Sequence, residues 1–164
     1  MKELIPLLRQ CYVFYQFTQT QLELVSNLCK EKTYRPGETI FVEKSNSTEL
    51  YVILHGEVEI LIDADPPNNS GDENNKISIS NLRRGQSFGE ISLVDEGLRS
   101  ATARVKDKEA RLIVIPREKL IMLCETYPQL GFRLMYNLAA EMAMKIRNTD
   151  FNIREKVIYG QQKM

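Results

Sequence analysis

The chain has 164 residues, of which 43% are hydrophobic and 27% are charged, so it fits one domain with a substantial core and is short for two. Its 22 basic and 22 acidic side chains cancel, which excludes the uniform positive field of a dedicated nucleic-acid binder. Its apolar runs stay far below the roughly 20 residues of a membrane span, and its first residues lack the pattern of a signal peptide. We therefore expect a cytoplasmic protein that contacts no membrane.

Cysteine and histidine are too few and too scattered for a metal centre. Cys11, Cys29 and Cys124 lie far apart in the sequence, and His55 is the single histidine. This spacing suits neither a disulfide framework nor a zinc site. We expect core thiols at Cys29 and Cys124, no metal site and no resident cofactor.

Residues 1–33 are predicted to form an N-terminal helical segment. A short amphipathic helix over residues 2–10 is interrupted by Pro6, and Thr18 or Thr20 caps a second helix. The apolar positions of that second helix recur at helical spacing, at Leu22, Val25 and Leu28.

Residues 34–116 are predicted to form an antiparallel β-roll of the double-stranded jelly-roll type. Short runs with strand character occupy residues 39–42, 50–54, 57–62, 76–82, 101–106 and 110–115. No helix crosses between them, which argues against a parallel nucleotide-binding sheet. In the third run, alternation places Glu57, Glu59 and Leu61 on the solvent face. The polar segment over residues 63–75 is predicted to be a long, mobile hairpin tip.

Residues 117–164 are predicted to form two C-terminal helices. The first runs from Arg117 to Tyr127 and ends at Pro128, and the second extends from Gln129 to about Ile158. The second helix carries an apolar stripe at Leu134, Leu138, Met142, Ile146, Ile153 and Val157. At 1.5 Å per residue the helix reaches roughly 45 Å, more than a small domain covers. The end of this helix either frays or packs against a second copy of the chain, and we predict the homodimer.

The stretch over residues 88–102 carries the chemistry. Gly89 allows an unusual backbone turn, and a short helix starting at Glu90 would present free N–H groups to an anion. The Arg99 guanidinium could clamp the same anion, and Glu90 could accept hydrogen bonds from hydroxyls beside it. Spacing alone leaves open that Glu90 and Arg99 form a structural ion pair instead.

This stretch closely resembles the phosphate-binding cassette of the cyclic nucleotide-binding domain family. It reads Phe-Gly-Glu, two residues, Leu, and then Arg followed by a small residue, Ala and Thr. The segment from Tyr34 to Phe41 resembles the family's Pro-Gly-Glu first-strand motif, and residues 49–58 resemble its next two strands. The turn over residues 43–48 lacks the glycines that the family often has there. The resemblance covers residues 12–158 and implies an eight-stranded β-roll flanked by helices.

The resemblance also implies roles for individual residues. Glu90 would bind a ribose 2′-hydroxyl and Arg99 an exocyclic phosphate oxygen. Backbone groups of Gly89, Ile91 and Ser92 would line the sugar and phosphate. The resemblance places Ser100 near the base and implies that Thr149, on the long helix, contacts the purine. The alternative is that Thr149 is only an exposed helix residue. The implied ligand is a 3′,5′-cyclic purine mononucleotide, with cyclic AMP favoured over cyclic GMP.

Three functions are compared. A non-enzymatic sensor would signal through movement of the C-terminal helix. A small cupin-like enzyme needs a metal or an acid–base centre, which His55, Glu57 and Glu59 on a predicted outer face do not supply. The chain could also be the sensor part of a transcription regulator, but residues 158–164 are too few for a helix-turn-helix. We expect a sensor that does not bind DNA through this chain alone.

Overall fold

The computed structural model describes residues 4–46, 48–63, 76–95, 97–106 and 108–160. Within this part of the chain, the helices are α1 (Leu4–Leu8), a 3₁₀ helix (Tyr12–Phe14), α2 (Gln19–Ser26), α3 (Ile91–Asp95), α4 (Arg117–Thr126) and α5 (Pro128–Gly160). The strands are β1 (Lys30–Tyr34), β2 (Thr39–Phe41), β3 (Glu49–His55), β4 (Val58–Asp63), β5 (Lys76–Leu82), β6 (Ser87–Phe88), β7 (Thr102–Val105) and β8 (Ala110–Pro116).

The eight described strands form two antiparallel sheets of four strands each. One sheet has the order β1-β8-β3-β6 and the other has the order β2-β7-β4-β5. Helices precede this roll, and α4 and α5 follow it. The predicted antiparallel β-roll with flanking helices and a long C-terminal helix is therefore confirmed.

Two hydrophobic cores share the strands β3 and β8. Leu50 and Val52 of β3 pack with the helices, whereas Tyr51 and Ile53 of the same strand point into the roll. Strand β8 divides its side chains between the two cores in the same alternating way. Because both faces of these strands are buried, their sequences are continuous apolar runs, and the roll and the helices form one packed unit.

The N-terminal segment is capped as predicted but contains a strand as well. Thr18 caps α2, with Gln21 completing a reciprocal capping box. Pro6 lies inside α1 and does not interrupt it, because a proline in the first helical turn removes no intrahelical hydrogen bond. Strand β1 pairs with β8 at the edge of its sheet. Strand β1 was not predicted because its side chains are mostly exposed and polar, without apolar alternation.

Strand β4 departs from the predicted alternation. Its register against β5 shifts between Ile60 and Leu61, which is the signature of a β-bulge. The shift turns Leu61 inward, where it is buried, so the expectation that Leu61 faces solvent is wrong. Of the predicted hairpin tip over residues 63–75, Asp63 ends β4 and the remainder lies outside the described residues.

The apolar stripe predicted for the long helix is divided between two environments. Leu134 and Leu138 are buried in the chain's own helical core, whereas Ile146 and Ile153 are more than half exposed. The later members of the stripe therefore lie beyond the chain's own core, as the length of the helix predicted. No helix within the described residues is long and apolar enough to span a membrane.

The buried thiol of Cys11 and the half-buried thiol of Cys29 should make the fold sensitive to alkali. Burial raises the pKa of Cys11 and of Cys29 from the ordinary value of 9.0 to about 12. The unfolded chain loses these protons at lower pH than the native chain, so the free energy of unfolding falls as pH rises from 9.0 toward about 12. We expect a smaller decline for the double variant Cys11→Ala, Cys29→Ala in urea unfolding. An identical decline in both proteins would contradict this assignment.

Candidate functional site

A cavity of about 1040 Å³ lies between the roll and the long helix α5. Its walls come from three regions of the chain, namely the segment over residues 86–101, strand β5 and the second half of α5. Phe41 and Ile60 contribute from the neighbouring strands. The volume is at the upper end of the range for small-molecule sites.

Gly89 sets the backbone at the start of the cassette, the segment over residues 88–102. Its φ angle is +77°, in the region that side-chain-bearing residues rarely adopt. A Cβ atom at this position would lie 2.3 Å from Nη1 of Arg99 and 3.1 Å from the carbonyl oxygen of Glu49. Glycine is therefore required both for the backbone conformation and for the close approach of the Arg99 guanidinium.

Arg99 is a buried cation held by main-chain oxygens and aromatic rings. Its Nη2 donates to the carbonyl oxygen of Glu49 at 2.9 Å, and its Nη1 donates to that of Gly89 at 3.3 Å. The guanidinium carbon lies 4.0 Å from the centroid of the Phe41 ring and 5.5 Å from that of Tyr51. These contacts fix the guanidinium at the wall of the cavity.

Burial changes the ionisation of the groups around Arg99. Desolvation lowers the pKa of Arg99, and the nearby Tyr51, Glu49 and Glu90 oppose that shift. The pKa of Tyr51 is raised by burial and by the hydrogen bond that its hydroxyl donates to Glu49. The desolvated Arg99 cation at the cavity wall is thus backed by a phenol that keeps its proton.

Glu90 is tied to the long helix by Lys145. The Nζ atom of Lys145 lies 3.0 Å from Oε1 of Glu90 and donates to the carbonyl oxygen of Ser87 at 2.8 Å. Glu141, one turn earlier on α5, lies 3.7 Å from the same Nζ atom. Its carboxylate accepts hydrogen bonds from the main-chain N–H and the hydroxyl of Ser87 at 2.9 and 2.8 Å. These four side chains connect α5 to the cassette.

The first half of α5 is anchored to the 3₁₀ helix region. The Nδ2 atom of the buried Asn137 donates to the carbonyl oxygens of Val13 and Tyr15, at 3.0 and 2.8 Å. Arg133 donates to Gln16 at 2.7 Å. Contacts therefore recur every fourth residue along one side of the helix, which we call the anchor row: Arg133, Asn137, Glu141 and Lys145.

Thr149 follows the anchor row and reaches the cavity. Its hydroxyl donates to the carbonyl oxygen of Lys145 at 2.9 Å, which leaves the oxygen available as an acceptor. Asp150 and Phe151 also line this end of the cavity, and the Phe151 side chain is exposed. The cavity therefore has a charged end at the cassette and an end with hydrogen-bond acceptors and an aromatic ring on α5.

Most of the residues singled out from the sequence converge on this cavity. Its lining includes Gly89, Glu90, Ile91, Arg99, Ser100 and Thr149. Ser92 lies in α3, and its side chain is outside the described part of the structure. The short helix begins at Ile91, one residue after the predicted start.

The residues considered for a cupin-like enzyme do not line the cavity. His55 is exposed, Glu57 pairs with Arg83 at 3.0 Å, and Glu59 pairs with Arg104 at 2.8 Å. The two carboxylates are therefore occupied in ion pairs on the roll. The sequence left open an ion pair between Glu90 and Arg99. In the structure the ion pair of Glu90 is instead with Lys145.

Two residues of α5 were not predicted, namely Lys145, which lines the cavity, and Glu141, which holds Ser87 beside it. Lys145 precedes Thr149 by one helical turn, so the two side chains lie on the same side of α5. The one-turn spacing from Thr149 could therefore have identified Lys145 from the sequence. No such pattern predicts that Glu141 lies opposite Ser87, because strand β6 has only two residues and no recognisable strand pattern.

Comparison with known proteins places this architecture in a family. A family model described as "Cyclic nucleotide-binding domain" matches residues 31–127. The Cyclic AMP receptor protein of Thermus thermophilus is 27% identical over 141 residues, which are 86% of this chain and 60% of that protein. The cGMP-dependent protein kinase of Plasmodium berghei is 30% identical over 95 residues, 58% of this chain and 10% of the kinase.

A solved structure supports the fold assignment. The cyclic nucleotide-binding domain from Methylobacillus flagellatus superposes with a TM-score of 0.78 at 21% identity, covering 94% of this chain and 83% of that one. The chain spans 60% of the length of the Thermus relative and a tenth of the kinase. With a family model matched over more than half of its length, the chain belongs to the cyclic nucleotide-binding domain family.

Proposed function

We propose that this chain is a non-enzymatic sensor that binds a 3′,5′-cyclic purine mononucleotide and signals through α5. The observation that carries the proposal is one cavity lined by Glu90 and Arg99 of the cassette and by Lys145 and Thr149 of the helix. A cyclic nucleotide has one phosphate anion, one free ribose hydroxyl and one purine edge. The cavity offers a cation for the phosphate, a carboxylate for the hydroxyl and hydrogen-bond acceptors for the purine edge.

The charged end of the cavity would hold the sugar and phosphate. Arg99, already fixed by main-chain and aromatic contacts, would contact an exocyclic phosphate oxygen. Glu90 would accept a hydrogen bond from the ribose 2′-hydroxyl while it retains Lys145. Backbone groups of Gly89, Ile91 and Ser92 would complete the phosphate contacts.

The base end favours cyclic AMP over cyclic GMP. Because the Thr149 hydroxyl donates to the Lys145 carbonyl, it presents an acceptor to the ligand, and Asp150 adds a carboxylate beside it. The 6-amino group of adenine would donate to the Thr149 hydroxyl, whereas guanine has an oxo acceptor at the same ring position. Ser100 would lie near the base, and the exposed Phe151 ring is available for stacking. The named relatives include one cyclic AMP protein and one cGMP kinase.

The output would be the position of α5. Lys145 holds both Glu90 and the main chain of β6, so a ligand hydroxyl on Glu90 changes the interactions that hold the helix. A ligand that binds one helix position better than another shifts the population between them. The cupin-like enzyme is not favoured, because Glu57 and Glu59 are occupied in ion pairs. The three free cysteines are consistent with a cytoplasmic location.

The long helix would also form a homodimer. One face of α5 carries residues alternately four and three positions apart, the spacing of a coiled-coil seam. We call this face the outer stripe: Phe132, Tyr136, Ala139, Ala143, Ile146, Asp150 and Ile153. The four large apolar members are each more than half exposed. A second copy of the same stripe would bury them in a symmetric contact.

The first test is calorimetric titration with nucleotides. We expect binding of cyclic AMP, weaker binding of cyclic GMP and still weaker binding of linear AMP, whose dianionic phosphate does not suit a site for a monoanion. Arg99→Ala should weaken cyclic AMP binding by about 1.5–3 kcal/mol, the range for hydrogen bonds to charged groups. Equal affinity for AMP and cyclic AMP, or an unchanged affinity in the variant, would contradict the proposal.

The second test uses two glycines with nearly the same backbone conformation. Gly89 has φ +77° and Gly37 has φ +76°, but a Cβ at Gly37 meets open space whereas one at Gly89 meets Arg99. Alanine at either position should cost about 1–2 kcal/mol of stability through the left-handed backbone. Gly89→Ala alone should also weaken cyclic AMP binding, by about tenfold for each 1.4 kcal/mol lost. Equal binding by the two variants would show that Arg99 does not need this glycine.

The third test measures the oligomeric state by light scattering at micromolar concentration with cyclic AMP. We expect about twice the chain mass of 19.0 kDa. The double variant Phe132→Asp, Ile153→Asp should stay monomeric, since both residues belong to the outer stripe and neither lines the cavity. Met122→Asp is the matched control, because Met122 is equally exposed on α4. A monomeric wild type with nucleotide would remove the dimer from the mechanism.

A further inference from the structure

Three arginines from separate parts of the chain converge on the 3₁₀ helix, and each is held by a neutral glutamine. The first follows α1, the second lies in the turn between β5 and β6, and the third lies in the first half of α5. We call these three side chains the arginine patch. Their hydrogen bonds, from a guanidinium nitrogen to Oε1 of the glutamine, run from Arg9 to Gln19 at 2.7 Å, from Arg84 to Gln10 at 2.5 Å and from Arg133 to Gln16 at 2.7 Å.

The arginine patch lies in a part of the surface that is poor in acidic residues. The three segments that carry it contain no Asp or Glu, over residues 4–22, 83–89 and 128–140. Glu23 lies one turn beyond Gln19 and accepts a hydrogen bond from that glutamine at 3.0 Å. In contrast to the patch, the neighbouring Arg83 pairs with Glu57 at 3.0 Å. A glutamine oxygen takes one N–H donor of a guanidinium and leaves its charge and its other donors in place.

Two exposed tyrosines adjoin the arginine patch. The side chains of Tyr12 and Tyr15 are 59% and 64% exposed. The main-chain N–H of Tyr15 donates to the carbonyl oxygen of Tyr12 at 3.1 Å, and in a 3₁₀ helix residues three apart lie on the same side. The N–H of Tyr12 donates at 3.1 Å to the carbonyl oxygen of Gly85, the residue after Arg84. Arginines and tyrosines therefore form one surface around the 3₁₀ helix.

The chemistry of this surface suits an acidic segment of another protein. A guanidinium presents its donors in a plane and binds a carboxylate through two parallel hydrogen bonds. A tyrosine ring offers a large apolar face that loses little conformational freedom on binding. Arginine and tyrosine are also among the residues that contribute most to the affinity of protein interfaces. The complementary segment would present carboxylates and apolar side chains together.

The number of charges favours a protein segment over larger polyanions. The arginine patch supplies three cations, whereas a typical nucleic-acid complex neutralises about 6–10 phosphates. Clusters that bind anionic lipid headgroups contain about 4–8 basic residues. A short acidic segment needs only a few ion pairs, and the tyrosine rings add apolar contact area to them.

We propose that the arginine patch, together with Tyr12 and Tyr15, docks an acidic segment of a partner protein. Carboxylates of the segment bind the guanidinium groups, and its apolar side chains pack on the tyrosine rings. No member of the arginine patch lines the ligand cavity, and neither tyrosine does. The inference therefore requires neither a nucleotide nor the homodimer, and it goes beyond the proposed function.

The test is fluorescence anisotropy of the full chain, without nucleotide, with a fluorescein-labelled peptide of the repeat Glu-Glu-Pro-Leu. We expect binding that weakens as salt is added, because exposed charges are screened. The double variant Arg9→Gln, Arg84→Gln should bind the peptide at least about tenfold more weakly than wild type. Arg83→Gln is the matched control, since it removes the same charge from the same turn but from an arginine that pairs with Glu57. It should bind the peptide as wild type does.

A second pair of variants tests the aromatic part of the surface. Tyr12→Ser combined with Tyr15→Ser should also weaken peptide binding, because the apolar side chains of the peptide lose their contact. Tyr127→Ser is the control, since this exposed tyrosine lies at the end of α4. All these side chains are exposed or on the surface of the roll, so thermal unfolding of each variant should match that of wild type.

Other outcomes would overturn the inference. Equal weakening by Arg83→Gln and by the double arginine variant would indicate a general charge effect. Equal binding of a peptide with Gln in place of Glu would show that the arginines do not bind carboxylates. Tighter, arginine-dependent binding of single-stranded oligouridylate or of phosphatidylserine vesicles would replace the protein segment with a nucleic acid or a membrane. Because nucleotide is absent from these measurements, their failure would leave the proposed sensor unaffected.

Discussion

The ammonium group of Lys145 joins the long helix to the cassette, and the coupling of the two depends on it. It lies 3.0 Å from Glu90 and donates to the main chain of Ser87, while Glu141 holds the other polar groups of Ser87. These groups are largely buried, so removing one partner would leave a poorly solvated charge. A ligand that bonds to Glu90 therefore acts on the same carboxylate that holds the helix. In the proposed sensor, ligand binding and helix position would be linked through this shared group.

A rigid platform supports that junction. Strands β3 and β8 contribute side chains to both hydrophobic cores, so neither core can rearrange without the other. Tyr51 and Phe88 stack with ring centroids 5.1 Å apart, and Phe41 packs against both beneath the Arg99 guanidinium. The cation is thus oriented before any ligand arrives, which reduces the conformational entropy lost on binding. In contrast, the second half of α5 has exposed apolar side chains.

Local sequence patterns predicted much of the fold and the cassette. Glycine with a positive φ at position 89 and the helix cap at Thr18 follow from short-range chemistry that a single segment contains. The bulge at Leu61 and strand β1 were missed, because register shifts and polar edge strands are decided by pairing between distant segments. Glu141 was missed for the same reason, since its partner Ser87 lies 54 residues away in the sequence. The cyclic ligand and its orientation in the cavity stay predictions.

The most direct test compares cyclic AMP with 2′-deoxy cyclic AMP in calorimetric titrations of wild type and Glu90→Gln. If Glu90 holds the ribose hydroxyl, wild type should bind the deoxy ligand more weakly by about 1.5–3 kcal/mol, the range for a hydrogen bond to a charged group. In Glu90→Gln the difference between the two ligands should shrink to about 0.5–1.5 kcal/mol, the range for an uncharged pair. The same preference in both proteins would place the ribose away from Glu90 and contradict the account of the cavity.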